Sequence, residues 1–215
     1  MIPSHRERGK DKHAPVATYT SNFFQTIAPT AVDSARVIVP RLLELVRPRS
    51  VVDVGCGTGS WLRVFKEHGV DDVLGIDGDY VPASARELPP HQFHAHDLTK
   101  PLRLDRRFDL VLSLEVGEHL PPESADVFVD SLVSLGPVVA FSAAVPQQGG
   151  THHVNEQWPE YWAAHFARRG YSVIDCLRSA IWQNPRVAWF YAQNLLLFAT
   201  DTAIAKSEQF SKRMA

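Results

Sequence analysis

Three glycines stand on alternate positions in Val52-Asp53-Val54-Gly55-Cys56-Gly57-Thr58-Gly59, directly after a β-branched run. Glycines there accept backbone conformations closed to other residues and let main chain approach a ligand closely. A dinucleotide fingerprint starting at Gly55 needs its third glycine at position 60, where Ser60 stands, and Asp53 is an unsuitable neighbour for a pyrophosphate. A carboxylate beside this turn suits a ligand that carries positive charge. A second group of reactive side chains follows downstream, in Glu115-Val-Gly-Glu118-His119. If helical, Glu115, Glu118 and His119 share one face at i, i+3 and i+4. The loop 146–158 adds His152 and His153. Imidazole titrates near neutrality, so His153 or His119 can serve as a general base, with Glu118 orienting His119 or satisfying local backbone. The alternative chemistry is a divalent metal held by Glu115, Glu118, His119 and one loop histidine, assigned here to His152, which would lower the pKa of a hydroxyl.

The elements that must position these residues are legible from periodicity. Residues 31–46 carry apolar side chains at helical spacing and end before Pro48. Residues 50–54 form a strand, the glycines a tight turn, and Trp61, Leu62, Val64 and Phe65 mark a helix. Further strands are expected at 72–76, 92–96, 108–114, 138–143, 171–176 and 190–200, with helices at 122–135 and 156–169 and Asn155 as a candidate N-cap. Strands alternating with helices define the α/β class. The expectation is one doubly wound, mainly parallel seven-stranded sheet with helices on both faces and an antiparallel last strand, with its ligand site outside the carboxyl ends of the strands. The aromatic run from Trp182 to Tyr191 is read as core filling, with Trp182 and Tyr191 as the alternative lining of an acceptor pocket.

The Asp53-to-Gly59 segment resembles the first motif of the class I S-adenosylmethionine-dependent methyltransferases, Asp-x-Gly-x-Gly-x-Gly, and the resemblance extends over about residues 45–200. It implies that S-adenosylmethionine binds at Asp53, Gly55, Gly57 and Gly59. It also implies that Asp77, in Gly75-Ile-Asp-Gly78, takes the ribose hydroxyls, that Asp97 and Leu98 contact adenine, and that Leu114 and Glu115 lie beside the methionine portion. The Glu-x-x-Glu-His stretch resembles that of ubiquinone-biosynthesis-like O-methyltransferases. The His152-to-Pro159 segment and its aromatic tail look like those of bacterial enzymes acting on sugars or secondary metabolites. Polynucleotide amino-methylating enzymes have an Asn/Asp-Pro-Pro-Tyr pattern after strand four, where this chain has Leu114-Glu115-Val116-Gly117. The implied reaction is methylation of a small-molecule hydroxyl. The rival readings are a non-catalytic S-adenosylmethionine-binding protein, an N-methyltransferase and a nicotinamide-dependent oxidoreductase.

Composition narrows the classes further. The formal net charge of 215 residues is -2 with basic residues scattered, which disfavours a nucleic-acid partner. Neither an apolar leader nor a long apolar run is present, so no membrane partner is expected. Cys56 and Cys176 are the only cysteines, and Cys56 lies inside the glycine turn, which points to free thiols and a cytoplasmic setting. The organisation expected is a flexible arm over 1–20, a catalytic domain over 21–205 and a tail over 206–215, acting as a monomer or homodimer. His94 and His96 would share a strand face, but no other ligand accompanies them and they are read as solvated.

Overall fold

A computed structural model describes residues 21–210, and side chains from 29 onward. The proposed arm over 1–20 and the end of the tail lie outside these residues.

The chain folds as α1 (Ser21–Val46), β1 (Ser50–Val54), α2 (Ser60–Glu67), β2 (Asp72–Asp77), β3 (Phe93–Ala95), β4 (Leu110–Leu114), α3 (Ala125–Leu135), β5 (Val138–Ser142), α4 (Pro159–Ala167), β6 (Tyr171–Ile174), α5 (Arg178–Ile181), α6 (Trp189–Asn194), β7 (Leu196–Thr200) and α7 (Asp201–Lys206). The seven strands form one sheet in the order β3-β2-β1-β4-β5-β7-β6. The pairs from β3 to β5 are parallel, and β7 runs antiparallel to both β5 and β6. The expected doubly wound sheet with an antiparallel last strand is therefore observed.

Alternation along the buried strands builds two apolar layers, because successive side chains leave opposite faces of a strand. Val51, Leu110, Leu112, Ala140 and Leu197 face the layer covered by α1, α2 and α6. Val52, Val111, Val139, Phe141 and Phe198 face the layer covered by α3 and α4. Phe166 of α4 stacks on Phe198 with ring centroids 4.0 Å apart. Asp53 shares the first face with Val51, so its carboxylate interrupts the apolar run Val51 to Val54.

Three expected boundaries move. The helix read over 156–169 begins only at Pro159. Proline disfavours helical backbone in the residue before it, and Trp158 is extended at ψ 152°. Asn155 is thus not a helix cap. Residues 190–194, read as strand, are helical as part of α6, and the last strand starts at Leu196. The first helix begins ten residues earlier than its apolar periodicity indicates, at Ser21.

Candidate active site

The order of the strands reverses between β1 and β4, and the connections leaving their carboxyl ends diverge to opposite faces, which opens a crevice at that point. A cavity of about 1090 Å³ occupies it. Its walls include Asp53, Gly55, Gly57, Asp77, Gly78, Asp97, Leu98, Leu114, Glu115, Glu118, His119 and His153. The two reactive groups of the sequence therefore share one space.

One end is built by the glycine turn. Gly55 N–H donates to the Ile76 carbonyl at 2.7 Å, which ties the turn to the end of β2. Gly55 has φ +87°, and a Cβ there would stand 2.3 Å from Val116 Cγ2, so the turn packs directly on the segment after β4. The Asp77 carboxylate accepts from the Gly57 N–H at 2.7 Å, the Gly78 N–H at 2.7 Å and the Tyr80 hydroxyl at 2.6 Å. Burial pushes its pKa up and these donors oppose the shift. Asp53 is 2% exposed, and burial followed by the neighbouring Asp77 charge raises its pKa from 3.8 to about 7. Asp97 is exposed and accepts from Thr99 N–H at 3.0 Å and Thr99 Oγ1 at 2.7 Å, closing a local turn at the cavity edge. Gly59 precedes α2 in left-handed conformation. Glu87 is a residue that sequence reasoning missed: it accepts from Ser60 at 2.5 Å and Thr58 at 3.1 Å, and its N–H donates to the Thr58 carbonyl. No local pattern marks Glu87.

The other end is built by residues after β4 and β5. Glu115 has φ +55°, and only Gly117–His119 make a 3₁₀ turn, so Glu115, Glu118 and His119 do not share a helical face as expected. The Glu115 carboxylate is held by Gln148 Nε2 at 3.0 Å and Asn194 Nδ2 at 3.2 Å. Glu118 is fully buried, and burial followed by the Glu115 charge drives its pKa well up, against backbone hydrogen bonds from Glu118 and Ala144 that oppose the shift. Its carbonyl accepts from the Val154 and Asn155 N–H groups at 2.8 and 3.0 Å, which pins the loop that carries His153. The His119 and His153 rings meet edge to face, 5.0 Å between centroids. His153 Nδ1 lies 2.8 Å from Glu156 Oε1, and Glu156 also accepts from the Gln147 and Gly149 N–H groups. Burial, then the proximity of His153, lowers the His119 pKa to about 4.

Ligand atoms of Glu118, His119 and His153 all lie within 4.8 Å of one another. Glu115 and His152, also in the metal set read from sequence, lie outside that trio. Glu115 is engaged by two amides, and His152, with φ +58°, is absent from the cavity wall. Of the aromatic residues, Tyr191 lines the cavity and Trp182 does not, whereas Trp189 and Phe190, not singled out before, do.

A glycine turn at the switch point of a doubly wound sheet, with buried acids at the ends of β1 and β2, marks the crevice where α/β folds of this kind bind their ligands. Residues 32–175 match the family model described as methyltransferase domain, and the chain belongs to that family. Its domain is thus of the S-adenosylmethionine-dependent methyltransferase class. Over 94 residues it is 37% identical to the chloroplastic tocopherol O-methyltransferase of Arabidopsis thaliana, a stretch that is 40% of this chain and 26% of that protein. The chain thus spans about a quarter of the length of this curated relative. Among solved structures it is similar to DesVI of Streptomyces venezuelae (TM-score 0.66, 17% identity, 87% of this chain and 99% of that one). It is also similar to the sugar N-methyltransferase KedS8 of Streptoalloteichus sp. ATCC 53650 (TM-score 0.57, 17% identity, 93% and 98%). A further match is the small RNA methyltransferase HEN1 (TM-score 0.57, 18% identity, 76% and 25%). At these identities the structural matches establish the fold. Among the described residues no helix is long and apolar enough to cross a membrane.

Proposed function

We propose that the protein methylates a hydroxyl of a small molecule, a sugar or another secondary metabolite, with His153 as general base. The observation that carries this reading is the His153–Glu156 pair at 2.8 Å, set in the wall of the cavity that also holds the glycine turn. Glu156 on Nδ1 favours the tautomer that leaves the other ring nitrogen free to accept a proton, and it stabilises the imidazolium that results. The acceptor oxygen attacks the methyl carbon in line with the C–S bond, whose electron pair passes to sulfur and leaves S-adenosylhomocysteine. The hydroxyl proton passes to His153. Positioning by the cavity walls then supplies most of the remaining rate enhancement. Asp53, Asp77 and Asp97 are assigned to the cofactor's ammonium, ribose and adenine, with Leu98 and Leu114 flanking it.

The hydroxyl acceptor is supported by the relative that carries the higher identity, an O-methyltransferase by name. An RNA acceptor, suggested by the name of one structural neighbour, is disfavoured by the net charge of -2. A second reading rests on one specific observation, the buried carboxylate of Glu118 clustered with two histidines. One oxygen donor and two imidazole nitrogens suit a divalent cation such as zinc, manganese or iron(II). Such a cation would lower the pKa of the acceptor hydroxyl. Glu118, His119 and His153 would hold it, and Glu115 would flank them.

The test joins substitution to metal removal. His153→Ala should slow methyl transfer at least about tenfold while S-adenosylhomocysteine affinity, measured by calorimetry, stays within about twofold. Unchanged turnover removes His153 from the mechanism. Loss of turnover on dialysis against EDTA, regained with a divalent cation, selects the metal reading over the metal-free base.

A further inference from the structure

Large apolar side chains left in water mark binding surfaces when they border a cavity. Among the described residues the exposed large hydrophobics are Val154, Trp158, Val173, Trp182 and Trp189, and of these only Trp189, 58% exposed, lines the active-site cavity. Its indole stands at the start of α6 and meets Phe190 edge to face at 5.7 Å. Phe190 in turn packs on Tyr191 at 4.6 Å, and Tyr191 on Trp61 at 5.2 Å. The run leads from the cavity mouth to its floor. Both ends of α6 are anchored: Ala188 N–H donates to Ser34 Oγ at 3.0 Å, and the Asn194 amide donates to Glu115 at 3.2 Å. The platform is therefore tied at one end to α1 and at the other to the Glu115 carboxylate.

Charge on the cavity walls adds a second constraint. Six carboxylates, Asp53, Asp77, Asp79, Asp97, Glu115 and Glu118, line it, and among the described residues no lysine or arginine does. Four of the six lie at the glycine-turn end, where a cationic cofactor can meet them. Glu115 and Glu118 remain at the acceptor end with no fixed cation beside them. An anionic acceptor would lose its hydration in this space and find no lysine or arginine counter-charge among the described wall residues to replace it.

We infer that the acceptor is an uncharged ring compound whose flat face stacks on Trp189 while its hydroxyl reaches the Glu118–His119–His153 end. This rests on the methyl-transfer reading above and names its substrate class. Two sources share the chemistry, an aromatic ring and the C–H face of a pyranose, since both stack on indole.

Calorimetric titration of the full chain saturated with S-adenosylhomocysteine tests it without requiring turnover. The probes are catechol, methyl α-D-glucopyranoside and the anionic 3,4-dihydroxybenzoate. Catechol or the glucoside should bind, and whichever does so identifies the source. The benzoate should bind at least about tenfold more weakly than the better neutral ring. Trp189→Ala should weaken that ring's binding about five- to tenfold with S-adenosylhomocysteine affinity unchanged, and Trp189→Phe should restore most of it. The inference is overturned if neither neutral ring binds below about 10 mM, if the benzoate binds as tightly, or if Trp189→Ala changes nothing. Binding of a neutral ring through Trp189 without methylation when S-adenosylmethionine is supplied upholds the subsite and defeats the methyl-transfer reading alone.

Discussion

Asp53 shows how one residue ties cofactor capture to pH. Its side chain is buried on β1 beside Asp77, and its pKa stands at about 7 instead of 3.8. A carboxyl with a raised folded pKa holds its proton when the unfolded chain has lost it. Between those two values the unfolded state binds fewer protons, so stability falls as pH rises, and the loss is complete above about pH 7. A bound ammonium reverses the preference by favouring the carboxylate. With Asp53 as its counter-charge, S-adenosylhomocysteine affinity should rise about fivefold from pH 6 to 7.5, and Asp53→Asn should flatten that slope; calorimetry at the two pH values checks both. Asp53 and Asp77 were legible in sequence because each stands at the end of a strand, where the chain turns across the cavity. The His153–Glu156 pair was not, since i, i+3 spacing carries no meaning in an irregular loop. The complete burial of Glu118 was equally hidden, because it is decided by every segment that closes around the side chain.

Between elements, the closest coupling runs from the glycine turn to the segment after β4. Gly55 has φ +87° and leaves no room for a Cβ against Val116. Gly55→Ala adds backbone strain of roughly 1–2 kcal/mol and an overpacking cost of about 1–3 kcal/mol. Urea denaturation should report a loss near the sum of these, with weaker S-adenosylhomocysteine binding. Val116→Ala in the same chain should recover the overpacking part and leave the strain. Strictly additive losses would show that the two segments do not share this contact. At this scale the sequence was read well where strands are β-branched and bounded by glycine or proline, as at β1 and β5. It was misread at α6, where Trp189-Phe-Tyr191 favours a strand by residue type. Helix there is stabilised by contacts with Ser34 and Glu115, each far away along the chain.

For the whole molecule, the two layers on either face of the sheet depend on β7, which lies between β5 and β6 although it follows both in sequence. Local spacing announces a late strand but not its insertion. Among the described strands β6 pairs with β7 alone, Tyr171 opposite Thr200 and Ile174 opposite Leu197. A chain ending at Leu195 should therefore leave β6 without a neighbour and the edge of β5 open. We expect it to be recovered in aggregates, while a chain ending at Phe210 remains dispersed; sedimentation after expression distinguishes them. The order of synthesis gives the same arrangement a meaning in time. As the polypeptide leaves the ribosome, the glycine turn, both reactive clusters and β6 are all present before the strand that unites the sheet has been made. The nascent protein thus carries a complete set of chemical groups on an unfinished scaffold, exposed to mispairing until the last strand slots into the gap reserved for it.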